Sequence, residues 1–241
     1  MKLRTFVTLF VVCLGTCRGG QHQRAKAGAS AVAVPSLPSG QGKSPQDIVE
    51  KLLPNGEIPK DVRVKPDQRD YIIKRLKAAQ GAAHDELRAQ QVAFLLAALD
   101  VEYDRNRDYL LHVLSGCNYP GIRYGCDEMT GDYLIYLCEH SHQEIFAPLL
   151  KISIGSYNAA GSEGLGSYFG EQVQKSPEKF LEAVSTFPVP TQKKACGFAG
   201  SSDGGGLGAK GLAQARKKLR VIGSEIALRC LREIEIANKP D

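Results

Sequence analysis

The chain carries one cluster of metal-ligand side chains, Cys138-Glu139-His140-Ser141-His142. With Cys126, Asp127 or Glu128, the Cys138, His140 and His142 side chains would compose a zinc site. Histidines at i and i+2 do not share a helical face, so these donors converge only where a helix ends. The plainer reading fits the spacing better: a histidine at a helix C-terminus, favoured by the negative pole, beside a capping serine.

Two glycine motifs suggest enzymes. Gly200-Ser201-Ser202-Asp203-Gly204 fits G-x-S-x-G, the nucleophile elbow of serine hydrolases, which needs a buried strand before it and a histidine after it. Gln192-Lys193-Lys194-Ala195-Cys196 is no buried strand, and all five histidines (His22, His84, His112, His140, His142) precede Ser202. The segment therefore reads as a Ser/Gly-rich loop. Gly206-Leu207-Gly208-Ala209-Lys210-Gly211 fits G-x-G-x-x-G, but no strand of a βαβ unit precedes it. Its backbone donors open a helix and could meet an anion weakly. The acids Asp127, Glu128, Asp132, Glu139 and Glu163 offer no pair that sequence can place at a working separation. His112, among Leu110, Leu111, Val113 and Leu114, reads as a core or edge histidine. Arg216-Lys217-Lys218-Leu219-Arg220 lacks basic residues elsewhere on a defined face, so it reads as the solvated side of one helix. No catalytic residue, no cofactor and no nucleic-acid partner is implied.

Such residues need elements to position them. The chain has 241 residues and is 43% hydrophobic, enough for a buried core and too apolar for a disordered polymer. Lacking Trp, and with 9 Tyr and 8 Phe, it is a poor stacking platform for sugars or bases. The formal charge is +5, but Lys2, Arg4 and Arg18 lie in a segment expected to be removed. Without those three the 31 basic residues fall to 28 against 26 acids, a balance of +2 that points to no polyanion.

That segment, residues 1–20, has the parts of an export signal. Lys2 and Arg4 precede the apolar run Phe6–Leu14, and Gly15, Thr16, Gly19 and Gly20 follow. The run is far shorter than the ~20 residues that cross a bilayer, so no transmembrane span is expected. Leu14-Gly15-Thr16-Cys17 is similar to a lipobox, which makes Cys17 an alternative lipid anchor, but Thr16 departs from the usual small residue there. The expected location is the periplasm or the exterior.

Export changes the meaning of the cysteines. Of seven, Cys13 and Cys17 leave with the signal, and Cys117, Cys126, Cys138, Cys196 and Cys230 remain. Cys117 and Cys126 flank a short loop with a Pro-Gly turn, and bridging them would contribute on the order of 2–3 kcal/mol. Such a bridge would hold Tyr119, Arg123 and Tyr124, residue types enriched at binding hot spots, in a preordered loop. An odd total leaves at least one thiol free, and Cys138, in an apolar helical pattern, is the expected one.

Residues 21–43 are rich in Gly, Ser, Ala and Pro and read as a flexible linker. A single helical domain is expected over 44–241, starting at Ser44-Pro45. Apolar stripes at helical period run through Tyr71, Ile72, Leu76 and Ala79, then Leu87, Val92, Leu95, Leu96 and Leu99, then Leu110, Val113 and Leu114. Over 87–185 a weak repeat appears: Tyr109-Leu110 with Val113-Leu114 recurs as Ile145-Phe146 with Leu149-Leu150, and again as Phe180-Leu181 with Val184-Ser185. Asp104, Ser141 (with Glu144 completing a capping box) and Ser176-Pro177 begin these copies, and an apolar helix precedes each. Pro148, inside the second copy, is expected to kink its helix. Beyond a Gly-rich loop at 200–208, one long helix is expected over 209–237, striped by Leu219, Ile222, Ile226, Cys230 and Ile234.

A two-helix unit recurring at this spacing resembles an α-solenoid of the HEAT, armadillo or tetratricopeptide kind. The resemblance implies an all-α fold of stacked helix pairs with an extended binding surface; an orthogonal helix bundle is the alternative. The expected role is a non-catalytic protein-interaction or scaffolding module with a protein partner. The alternatives are a small helical-fold enzyme, with metal-assisted hydrolysis near Cys138, and an envelope lipoprotein.

Overall fold

The computed structural model describes residues 46–116, 128–140, 142–155, 159–201 and 207–239, and among them the chain is all-α with no strand. The helices are α1 (Gln46–Leu52), α2 (Pro66–Ala82), α3 (Glu86–Ala98), α4 (Tyr103–Gly116), α5 (Glu128–His140) and α6 (Phe146–Ser153). They continue with α7 (Ala159–Lys175), α8 (Pro177–Ser185), α9 (Val189–Gly200), α10 (Ala209–Ile222) and α11 (Glu225–Ala237). Short 3₁₀ turns occupy Pro54–Gly56 and Gln143–Ile145.

Local chemistry sets the starts. Pro66 and Pro177 stand at first helical positions, where a missing N–H costs nothing. Asp85 Oδ1 accepts from the Arg88 N–H at 2.7 Å at the start of α3, and Ser224 Oγ from the Ala227 N–H at 3.3 Å at the start of α11.

Packing follows a simple rule. In one row, α1, α3, α5, α7, α9 and α11 each touch the next; in a second row, α4, α6, α8 and α10 do the same. Gln90 and Phe94 of α3 meet Thr130 and Tyr133 of α5 in that order, so these two helices run parallel. Cys196 and Gly200 of α9 likewise meet Cys230 and Ile234 of α11. The spacing is close to the 36- and 35-residue offsets of the sequence repeat. Cys196 and Cys230 are 34 residues apart, as are Gly131 against Leu165 and Phe146 against Phe180. Leu110, Phe146 and Leu181, the equivalent second positions of the three copies, are all buried.

Three expectations need correction. The last stretch is two helices, not one. Gly223, at φ 64°, ends α10 in the left-handed conformation, its N–H bonded to the Leu219 carbonyl at 3.1 Å, and α11 then folds back. An Arg216–Glu235 ion pair at 2.9 Å ties the hairpin together. Pro148 kinks nothing, because α6 begins at Phe146 and puts the proline in the first turn, where no N–H is needed. Ser141, the expected cap of the second copy, lies outside the described residues, and Glu144 Oε1 lies 3.4 Å from His142 Nδ1. His112 is exposed, not part of the core. The expected export signal, the linker, Cys17 and the Cys117–Cys126 pair lie outside the described residues.

Candidate functional site

The richest gathering of polar side chains lies where the α3–α4 turn meets the end of α5. The α3–α4 turn is backbone-strained at Glu102, whose φ of 46° costs a residue other than Gly, Asn or Asp about 1–3 kcal/mol, while Asp100, at φ 54°, belongs to a residue type that tolerates this region. Several groups hold it there. Arg69 Nη2 donates to the Leu99 carbonyl at 2.7 Å, and the buried Asn106 donates through Nδ2 to the Val101 and Glu102 carbonyls at 2.8 and 3.1 Å. Asn106 Oδ1 in turn accepts from Gln80 Nε2 at 3.0 Å. Lys77 and Arg105 both bond the Glu102 carboxylate and hold it below its ordinary pKa of 4.5.

Across from this turn, His142 stacks on Tyr103, ring centroids 3.7 Å apart. Its Nε2 lies 3.1 Å from Asp100 Oδ1, and its Nδ1 lies 3.4 Å from Glu144 Oε1. Burial is the largest influence on Glu144 and pushes its pKa up, but Tyr103, the residue's own backbone and His142 outweigh it and leave the carboxyl low. Burial and then the neighbouring Glu144 carboxylate push the Tyr103 phenol up. The Arg107 guanidinium stands over the same ring at 5.4 Å.

His140 has a parallel setting at the end of α5. It stacks on Tyr136 at 3.9 Å, its Nδ1 lies 2.9 Å from the Tyr136 carbonyl, and its Nε2 lies 3.1 Å from the Lys60 carbonyl. Tyr136 Oη accepts the Val62 N–H at 2.7 Å. Tyr136 and His140 therefore pin the segment leading into α2 against α5.

The expected zinc donors thus turn to three different neighbours. Cys138 is a buried free thiol beside the Tyr168 hydroxyl, and burial pushes it up and keeps it protonated, which suits neither ligand nor nucleophile. His140 faces main-chain carbonyls, and His142 faces two carboxylates. A neutral imidazole donates only once, so two acceptors at each ring leave no lone pair turned outward for a metal. Among the described residues, no group of three or more His, Cys, Asp or Glu is arranged to hold a metal ion. These histidines join helix units to one another.

Elsewhere, Tyr119, Arg123, Tyr124, Cys117, Cys126, Ser202 and Asp203 lie outside the described residues. Gly211 packs against the amide of Gln174 on α7, so it serves close helix approach. Cys196 of α9 and Cys230 of α11 form a disulfide. Sequence reasoning missed Asp100, Tyr103 and Lys60 as histidine partners, because a partner 40 or 80 residues away leaves no local pattern; His140 and Lys60 are 80 apart.

No family model, curated protein or solved structure matches the chain.

Proposed function

We propose that this is an exported α-helical protein acting as a non-catalytic protein-interaction or scaffolding module. The observation that carries this reading is the two-row stacking of helix pairs. Stacked units present long side surfaces, and their interiors hold Leu, Phe and Tyr in place of reactive groups. Export is supported by the N-terminal charge and hydropathy pattern and by the Cys196–Cys230 disulfide, a bond of oxidising compartments. Among the described residues, no helix is long and apolar enough to cross a membrane.

We assign partner contact to Tyr119, Arg123 and Tyr124, between Cys117 and Cys126 in the link from α4 to α5. The test is crosslinking and affinity capture on the native producing cells with wild type, Arg123→Ala and the Tyr119→Ala/Tyr124→Ala pair. The expected result is a defined partner lost from both variants while their melting curves stay unchanged. Capture of the same proteins at the same yield by both variants would remove this loop. Intact mass of the exported chain tests the remainder. Cleavage near residue 20 supports export, a diacyl increment on Cys17 would make it a lipoprotein, and an uncleaved reduced chain would defeat the compartment.

A further inference from the structure

The terminal hairpin carries a surface that the function above does not use. On α10, Gly211, Ala215 and Leu219 are buried, and Lys210, Lys217 and Arg220 stand on the opposite side, with Val221 beside them. On α11, Ala227, Cys230, Leu231 and Ile234 are buried, and Arg232 and Ile236 stand opposite, with Leu228 at the edge. Val221 is 80% exposed, Leu228 46% and Ile236 52%, three of the six large apolar side chains exposed among the described residues.

Charge is segregated along the stack. Residues 207–239 hold eight Lys or Arg and three Glu, whereas residues 128–185 hold eight acids and three Lys. Two of the three hairpin acids are already occupied: Glu225 by Arg229, and Glu235 by Arg216 at 2.9 Å and Arg220 at 3.9 Å. Among the described residues, no carboxylate is in ion-pair contact with Lys210, Lys217 or Arg232. The isolated basic cluster of the sequence thus gains a second helix and becomes a face.

We propose that this outer face of the α10–α11 hairpin docks on an anionic lipid surface. The chemistry favours a bilayer over a protein. Residues 207–239 contain no Tyr, Phe or Trp, the aromatic anchors of protein interfaces, and lysine is depleted in such interfaces. Protruding aliphatic side chains set among Lys and Arg suit the headgroup boundary, where cations meet lipid phosphates and the apolar tips enter between them. The same lack of aromatics removes the stacking that single-stranded nucleic acid requires.

The experiment is flotation of the purified full-length chain with vesicles of phosphatidylcholine alone or with about a third phosphatidylglycerol. Binding to anionic vesicles is expected to exceed neutral binding by at least about tenfold and to fall with added salt. Lys210→Glu/Lys217→Glu/Arg232→Glu should return binding to the neutral level. Val221→Ser/Leu228→Ser, which adds no charge, should weaken it while leaving the salt dependence. The N-terminal segment is the same in every protein, so the differences belong to the hairpin. Circular dichroism melts show whether the variants fold; the matching Gln triple variant, which introduces no repulsion, replaces any that does not. Equal partition into both vesicle types overturns the proposal, as does wild-type binding by the triple variant. Tighter capture of polyglutamate or an oligonucleotide by the same residues also overturns it, in favour of an acidic macromolecule.

Discussion

Between α3 and α5 the contact is made by large rings and hydrogen bonds; between α9 and α11 it is made by small residues and a covalent bond. Phe94 stacks on Tyr133 at 4.4 Å and meets Tyr136 edge-on at 5.2 Å, and the buried Thr130 donates to Gln90 Oε1 at 2.7 Å. On the other seam, Ala195, Ala199 and Ala227 are fully buried, Gly200 lies directly on Ile234, and Cys196 bonds Cys230. Both seams join parallel helices of one row. The first fills space with aromatic volume and, among the described residues, leaves Gln90 Nε2 and the Tyr133 hydroxyl buried without a hydrogen-bond partner. The second brings backbones close and then closes the chain covalently. Aromatic packing tolerates local rearrangement, whereas a seam of Gly and Ala has no slack, so the two should fail differently.

The largest effect is expected from emptying the aromatic seam. Phe94→Ala removes a fully buried ring and should lower unfolding free energy by about 3–5 kcal/mol, read from urea denaturation. A loss under 1 kcal/mol would mean that α3 and α5 do not share this core.

Opening the covalent seam comes next. The disulfide closes a 34-residue separation, and in the chain-entropy account Cys230→Ser or reduction should cost about 3–4 kcal/mol. A melt insensitive to reductant would deny the bridge.

The glycines sharpen the comparison. A Cβ on Gly200 would stand 2.9 Å from the Ile234 backbone, which cannot move aside, so Gly200→Ala should cost about 1–3 kcal/mol. A Cβ on Gly211 meets the end of the Gln174 side chain at 2.8 Å, which can turn away, so Gly211→Ala should be the milder change. The reverse order in thermal melts would place the tight contact at α7–α10.

The smallest effect is acid-dependent and belongs to the polar seam alone. Glu102 and Glu144 both titrate below their ordinary value of 4.5 in the folded chain. Their contribution is therefore present above that value and lost as pH falls through the lower folded values. Glu144→Gln should flatten that acid-side loss, read as melting temperature from pH 6 to about 3. An identical pH profile for the variant would exclude the Glu144 contact as a source of stability.

Much of this architecture was written in local pattern. The all-α fold and the paired helices of the repeat region followed from apolar period. Cys138 was marked as the free thiol by its apolar surroundings. Gly223 escaped notice because the stripe Leu219, Ile222, Ile226 carries across it; a two-residue link preserves the period while reversing the chain. Pro148 misled because its effect depends on where α6 starts, and the 3₁₀ turn before it decides that.

Sequence by itself determined which segments are helical, which side of each is apolar, and how long the repeating unit is, because these depend on neighbours three or four residues away. Tertiary structure alone decided the partners. Cys196 finds Cys230 because two parallel helices stack one unit apart. His140 and His142 turn to Lys60, Asp100 and Glu144 and away from a shared metal because turns from different units meet at one end of α5. The basic residues of α10 become part of a face because α11 folds back beside them. Each of these depends on which surfaces touch, a property of packing that no local spacing records.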